Sequence, residues 1–257
     1  MILFDPWIGI GYTPAGSNVD VDVTAALPGG STAWVGVGFD EVLSAGRTSV
    51  MTSNQGPAPP AGFQLGKPPV YYDVATTATF IGNVEACFTW TEGQFHNEKM
   101  IRLQHYEANA WVDVTTSVDT AENVACGRVT SLSPFALMEV AYAFAGFNQP
   151  IANPPALNTV KAGQSISVKF TLEGYRGLDI FDPGYPKSGM IDCATPGIPS
   201  ALESTVLAGT SVLQYEPTTD AYIYVWKTMP GWAKTCRVLV VNFMDGSQGT
   251  AYFRFRQ

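Results

Sequence analysis

The chain has 257 residues and a net charge of −8, and 14% of its residues are charged. It carries no basic cluster, which excludes nucleic acid and anionic membrane surfaces as partners because both bind through cationic patches. No apolar run approaches the about 18 residues of a membrane-spanning helix, so no membrane insertion is predicted. Abundant Thr, Val, Gly, Pro and aromatic residues instead predict an all-β protein.

The first element in chain order is the stretch WIGIGY at residues 7–12. In a strand, Ile8, Ile10 and Tyr12 project to one side and the intervening glycines leave the other side bare. The stretch is either the first strand of its own sheet or a donor strand that completes a neighbouring subunit's sheet, as in pilus assembly. The second alternative would make the protein a polymer subunit. The N-terminus lacks the basic region of a signal peptide, so a removed signal, another export route or a fragment is expected.

Residues 18–24 alternate strictly, which predicts a strand with its valines turned inward. Asn18, Asp20 and Asp22 share the opposite face. Their oxygens are of the type that binds Ca²⁺, and the same pattern is typical of the solvated face of a strand. Beyond this weak calcium site, no metal and no cofactor are predicted.

Short alternating segments bounded by turn residues continue through the first part of the chain. Residues 107–110 are predicted to form a hairpin loop, and His105 is predicted to be a strand residue rather than a catalytic base. The predicted strands are 32–39, 70–74, 77–81, 85–90, 100–106, 111–115, 124–130 and 134–140.

Charge and composition divide the chain into two units. Residues 1–143 have five Lys or Arg and fourteen Asp or Glu, a net charge of about −9, whereas residues 144–257 have nine and eight. Residues 144–158 are rich in proline and asparagine, which predicts a linker. We therefore predict an acidic N-terminal β-sandwich domain, 1–143, and a second β-sandwich domain, 144–257.

In the second unit, Tyr222, Tyr224 and Trp226 share one face of a predicted strand. Packed inward they would form a core, and on an open face they would suit sugar rings. A short helical turn is predicted at residues 200–206. The predicted strands are 165–172, 211–215, 221–227, 236–243 and 250–255.

The four cysteines fall two in each unit, Cys87 with Cys126 and Cys193 with Cys236. No C-x-x-C pair of a zinc or redox site is present. One disulfide per domain is predicted, which requires an oxidising compartment and hence an extracellular or cell-surface location. Four buried free thiols in a cytosolic protein are the alternative.

Two separated blocks of the second unit carry a family resemblance, NPPALNTVKAGQSISVKFTLEGYRGLDIFDPGYPKS and YIYVWKTMPGWAKTCRVLVVNFMDGSQGTAYFRF. Residues 145–257 resemble the PxKF domain, an Ig-like β-sandwich module of bacterial secreted and surface proteins. The family's Pro-x-Lys-Phe motif stands here as Ser167-Val-Lys-Phe170, without its proline. The resemblance implies an Ig-like fold for this domain. The missing proline does not change this expectation, because a strand accepts serine at a position where it accepts an edge proline.

Residues 50–140 are similar to a module that often precedes the PxKF domain, with the blocks GPAPPAGFQLGKPPVYYDV and LQHYEANAWVDVTTSVDTAENVACGRVTSLSPFALMEV. The end of this region also resembles the autoproteolytic ZU5 and GAIN sandwiches. Those families cleave at a His-aliphatic-Ser/Thr site, which corresponds here to Ser131, Leu132 and Ser133. Because serine cannot act as the imidazole base does, no cleavage is predicted.

The charged stretch VKFTLEGYRGLDIFDPGYPKS, residues 168–188, is interpreted as strand and turns rather than as an active-site loop, with Lys169 pairing with Asp179. No G-x-S-x-G, P-loop, H-E-x-x-H or EF-hand motif occurs. The sequence therefore predicts a non-enzymatic extracellular structural or adhesion protein that self-associates, as in a filament, or binds other surface proteins. A polysaccharide-binding surface module is the alternative, and a secreted glycosidase is the third hypothesis.

Overall fold

The chain folds into two compact units, Met1–Ala141 and Tyr142–Gln257. Their regular structure is almost entirely β-strand, as predicted, with single-turn 3₁₀ helices at Glu98–Met100 and Pro230–Trp232. The division lies close to the boundary at residue 143 that the charge distribution predicts. The computed structural model describes residues 8–27, 30–132, 134–209 and 212–257.

The strands of the first unit form two antiparallel sheets. The strands are β1 (Ile8–Thr13), β2 (Gly16–Ala26), β3 (Thr32–Ser44), β4 (Gly46–Ser53), β5 (Phe63–Leu65), β6 (Tyr71–Thr76), β7 (Thr79–Thr89), β8 (Ile101–Glu107), β9 (Ala110–Asp113), β10 (Thr115–Asp119), β11 (Val124–Val129) and β12 (Phe135–Val140). Sheet A has the order β1-β4-β6-β12-β8-β9, with β5 also paired to β12. Sheet B has the order β10-β11-β7-β3-β2.

The core of the first unit lies between sheets A and B. Alternate residues of each strand face it, because side chains alternate between the two faces of a strand. The ring of Phe88 in sheet B lies 4.7 Å from that of Tyr72 and 5.3 Å from that of Phe135, both in sheet A. These contacts join the two sheets, and burial of such apolar surface stabilises the unit by about 25 cal/mol per Å².

The predicted hairpin loop at residues 107–110 is a two-residue turn between β8 and β9, in which Glu107 pairs with Ala110. Its central residues, Ala108 and Asn109, both have positive φ, 48° and 62°. That conformation matches the right-handed twist of the flanking strands.

The second unit also has two sheets. Its strands are β13 (Phe147–Asn148), β14 (Leu157–Lys161), β15 (Ser165–Phe170), β16 (Lys187–Ile191), β17 (Glu203–Ser204), β18 (Val206–Leu207), β19 (Gln214–Glu216), β20 (Ala221–Lys227), β21 (Cys236–Asn242) and β22 (Gln248–Arg256). Sheet C has the order β13-β15-β20-β18, with β19 also paired to β20. Sheet D has the order β14-β22-β21-β16-β17, and β14 pairs with β22 in parallel.

Aromatic side chains from both sheets fill the core of the second unit. The ring of Trp226 in sheet C lies 5.4 Å from that of Phe253 in sheet D. The ring of Phe170 in sheet C lies 5.4 Å from that of Phe243, which directly follows β21. These tilted and edge-on arrangements are the favourable ones for aromatic pairs.

Two local predictions for the second unit are wrong. The linker predicted at residues 144–158 belongs to the core of the unit: Phe147 and Ile151 are buried, and the ring of Phe144 lies 4.9 Å from that of Phe243. Prolines stiffen this segment without preventing its aromatic residues from packing. The helical turn predicted at 200–206 is replaced by the short strands β17 and β18, since tertiary pairing outweighs weak local preference.

Candidate functional site

The stretch predicted as either a first strand or a donor strand is β1 of its own sheet. It pairs antiparallel with β4, with Ile8 opposite Met51. At its far end the hydroxyl oxygens of Thr13 and Thr48 lie 2.6 Å apart. Residues 8–13 are therefore not donated to a neighbour in this structure, and Trp7 lies outside the described residues.

The glycines of β1 explain why this strand fits its own unit. A Cβ at Gly9 would lie 2.6 Å from Cγ1 of Val23, and one at Gly11 would lie 2.6 Å from Cγ1 of Val21. Both valines belong to β2 in sheet B. The two glycines thus let β1 approach β2 more closely than any other residue would allow.

The other side of β1 forms an exposed apolar patch. Ile8, Ile10 and Tyr12 are 41%, 55% and 68% exposed, and Met51 beside Ile8 is 41% exposed. We call these four residues the β1 surface. Sequence reasoning found the three β1 residues through their alternation with glycine, but it missed Met51, because only the strand register brings it alongside.

A cavity of about 240 Å³ adjoins the β1 surface at Met51. Tyr71 lines it and donates a hydrogen bond from its hydroxyl to the Pro57 carbonyl oxygen at 2.9 Å. Burial raises the pKa of the Tyr71 hydroxyl. Gly56 also lines the cavity, and a Cβ there would meet the Tyr71 ring at 2.5 Å. The cavity is an apolar recess next to an exposed apolar strand.

β1 lies at an end of sheet A, and no other strand of the described residues pairs with its outer edge. Residues 8–13 contain no charge and no proline, the residue types that commonly protect a sheet edge from pairing. By contrast, β2, β9 and β10, which also lie at sheet ends, each carry aspartate.

The aromatic residues considered for glycan binding do not form an open face. Tyr222, Tyr224 and Trp226 are buried, with exposed fractions of 0%, 5% and 0%. The Trp226 ring packs against Trp232 and Phe255 at 5.7 and 6.2 Å. The glycan-binding interpretation of these three residues is therefore wrong, because a second sheet covers the face they share.

The weak calcium site predicted at Asn18, Asp20 and Asp22 does not assemble. Among the described residues, no three His, Cys, Asp or Glu side chains are grouped so as to hold a metal ion. The Oδ1 atom of Asp22 instead accepts a hydrogen bond from Nε1 of Trp34 at 3.1 Å.

Both disulfides have the predicted pairing, Cys87 with Cys126 and Cys193 with Cys236. Cys87 and Cys126 are directly opposite residues of β7 and β11, so this bridge lies within sheet B rather than between the two sheets. Cys236 neighbours Arg237, which shares a face with Phe253, so Cys236 points away from the Trp226 core.

His105 is a strand residue, as predicted, and its side chain is buried. Its ring stacks on that of Phe135 at a centroid distance of 4.5 Å. Burial lowers the pKa of His105, and Glu107, with its Oε2 3.8 Å from Nδ1, opposes that shift.

The residues aligned with an autoproteolytic site are Ser131, Leu132 and Ser133. Ser133 lies outside the described residues.

Hydrogen bonds to a buried side chain hold part of the charged stretch at residues 168–188 in place. The hydroxyl of Tyr222 accepts a hydrogen bond from the backbone N–H of Arg176 and donates one to the Gly177 carbonyl oxygen at 3.1 Å. Burial raises the pKa of this hydroxyl. The predicted ion pair is absent: Lys169 is half-buried in β15, Asp179 is exposed, and no salt bridge joins these two described residues.

No family model, curated protein or solved structure matches the chain. Within the residues that the structure describes, no helix has the length and apolar character needed to cross a membrane.

Proposed function

We propose that this protein is a non-enzymatic structural or interaction element of an extracellular or cell-surface assembly, and that copies of it associate through β1. In this proposal its two units are β-sandwich domains, and residues 145–257 are an Ig-like module of the PxKF type from a bacterial surface protein. The observation that carries the proposal is the exposed, uncharged edge strand β1.

The two disulfides support an extracellular location, because such bridges persist in oxidising compartments and are rare in the cytosol. The Ig-like assignment is supported by the two packed sheets of the second unit. The family motif position at residues 167–170 lies within β15, and Phe170 is fully buried.

An edge strand offers backbone N–H and C=O groups to a further strand. Two copies of β1 paired antiparallel would continue sheet A from one copy into the other and bring both sets of Ile8, Ile10 and Tyr12 onto one face. The same surface patch would serve both copies, as two-fold association requires.

Charge favours β1 over the rest of the first unit as the contact. Residues 1–143 have a net charge of about −9, so most approaches of two copies place acidic groups against each other. Since residues 8–13 are uncharged, two copies meet there without that repulsion.

Sedimentation over a wide concentration range and electron microscopy of the purified chain test this proposal. We expect concentration-dependent dimers, because a two-fold contact closes on itself, and Ile10→Lys should weaken association at least about tenfold because a lysine on an edge strand opposes pairing. Leu43→Lys is the matched control, since Leu43 is 53% exposed, close to the 55% of Ile10, but lies outside the β1 surface.

A chain that stays monomeric at the highest soluble concentration would refute association through β1. Equal loss of association in Ile10→Lys and Leu43→Lys would also refute it, because the effect would then come from added charge anywhere on the surface.

A further inference from the structure

A tryptophan lies exposed on the outer face of sheet B, the face turned away from the core. Trp34 of β3 is 38% exposed. Its indole lies across Gly36: a Cβ at Gly36 would be 2.6 Å from Cη2 and 2.8 Å from Cζ2 of the ring. The glycine therefore makes room for the indole on the sheet surface.

Hydrogen bonds to both neighbouring strands hold Trp34 in place. Its Nε1–H donates to Oδ1 of Asp22 in β2 at 3.1 Å. Its backbone N–H donates to Oγ1 of Thr89 in β7 at 2.9 Å, and the same hydroxyl donates to the Trp34 carbonyl oxygen at 3.0 Å. The exposed ring is thus fixed before any ligand arrives, so little side-chain entropy is lost on binding.

The surface around the indole is rich in hydrogen-bond acceptors. Gly36 lies opposite Cys87, and Gly38 lies opposite Glu85, so two positions of β3 beside the indole carry no side chain. The Asp20 carboxylate lies over Gly38, with Oδ1 2.9 Å from where a Cβ would be. An aromatic ring therefore stands among carboxylates on an open sheet face.

We propose that this face binds an uncharged polysaccharide, with one sugar ring stacked on Trp34 and its hydroxyl groups donating to the carboxylates of Asp20, Asp22 or Glu85. Sugar rings present C–H groups to an aromatic face and O–H donors at their rim, which matches this arrangement. The carboxylates repel anionic glycans. An open sheet face does not enclose a small molecule as a cleft does, so an extended polymer fits it better than a free monosaccharide.

This site does not depend on association through β1, because it lies on the other sheet. The site also differs from the buried Tyr222 face that the sequence pattern indicated. The occupant is a glycan rather than a second copy, since a second acidic first unit would place carboxylates against carboxylates here.

Depletion of the full chain by insoluble cellulose and chitin, with the anionic polysaccharide alginate as comparison, tests the proposal. We expect binding to at least one of the two neutral polymers, weaker binding to alginate, and at least about tenfold loss in Trp34→Ala. Gly36→Ala should cause a similar loss although Trp34 is retained, because the new methyl displaces the indole. Val112→Ala is the control, with a side chain 40% exposed in sheet A.

Absence of binding to both neutral polymers, binding unchanged in Trp34→Ala, or preference for alginate would each overturn the proposal. If Trp34→Ala fails to fold, Gly36→Ala and the shift of the indole Nε1–H resonance of Trp34 on titration with cello- or chito-oligosaccharide decide the question. A resonance that stays in place throughout both titrations counts against the site.

Discussion

Replacing Gly9 by alanine tests whether β1 is an integral strand of the first unit. A Cβ at Gly9 would lie 2.6 Å from Cγ1 of Val23 and 2.9 Å from the carbonyl carbon of Thr24, and real Cβ atoms essentially never come within 3.0 Å of another heavy atom. One of these two neighbours is backbone of β2, which cannot rotate away as a flexible side chain can. The substitution therefore forces β1 and β2 apart.

Overpacking of this kind costs about 1–3 kcal/mol, and the lower unfolded-state entropy of alanine offsets about 0.4–1 kcal/mol of that. We expect a net loss of about 1–2 kcal/mol in the free energy of unfolding. With a urea m-value of about 2 kcal/mol per M, the midpoint of the first unit's transition falls by about 0.5–1 M.

Urea unfolding followed by intrinsic fluorescence measures this midpoint. Gly197→Ala is the control, because nothing lies within 4 Å of the Cβ it would add and its unfolding midpoint should stay the same or rise slightly. If Gly9→Ala unfolds at the same urea concentration as the parent, β1 does not pack against β2 and the reasoning fails.

Two further predictions concern buried polar groups of the first unit. The Glu139 carboxylate accepts hydrogen bonds from the backbone N–H groups of His96 and Asn97, both at 3.0 Å, so Glu139→Ala should cost about 3–5 kcal/mol and Glu139→Gln clearly less, as thermal or urea unfolding will show. Equal effects of the two variants would contradict this role. Burial lowers the folded-state pKa of His105 below about 6.5, its unfolded value, so the unfolded state binds protons first as the pH falls. The stability that neutral His105 contributes is complete above about pH 6.5 and is lost progressively below it, and His105→Gln should flatten this dependence in urea unfolding between pH 5 and 8. A His105→Gln profile as steep as that of the parent would show that another group is responsible.

Strand alternation let the sequence predict most of the all-β architecture. Residues 18–24, with valine at every second position, gave β2 correctly because only one face of that strand is buried. The cysteine pairing was also predictable, since two cysteines fall within each unit. These features depend on local pattern or on position along the chain.

Strand register and sheet order decide what local pattern leaves open. The aromatic alternation at residues 222–226 is compatible with a core or with a binding face, and it is a core because sheet D covers that side of sheet C. The neighbours of Trp34 on the same face of β3 are not aromatic, so the sequence pattern does not single it out. It becomes a candidate binding residue because β2 supplies Asp22 beside it and Gly36 leaves space beneath its ring.

The sequence by itself determined the all-β class, the disulfide partners and the alternation that gives β1 a glycine side and an apolar side. Each of these follows from side-chain period or cysteine position. Only the tertiary structure decided that β1 pairs with β4 at the edge of its own sheet and that Trp34 is exposed whereas Trp226 is buried. The physical reason is that burial of a strand face depends on which other strands lie over it, and those strands come from distant parts of the chain.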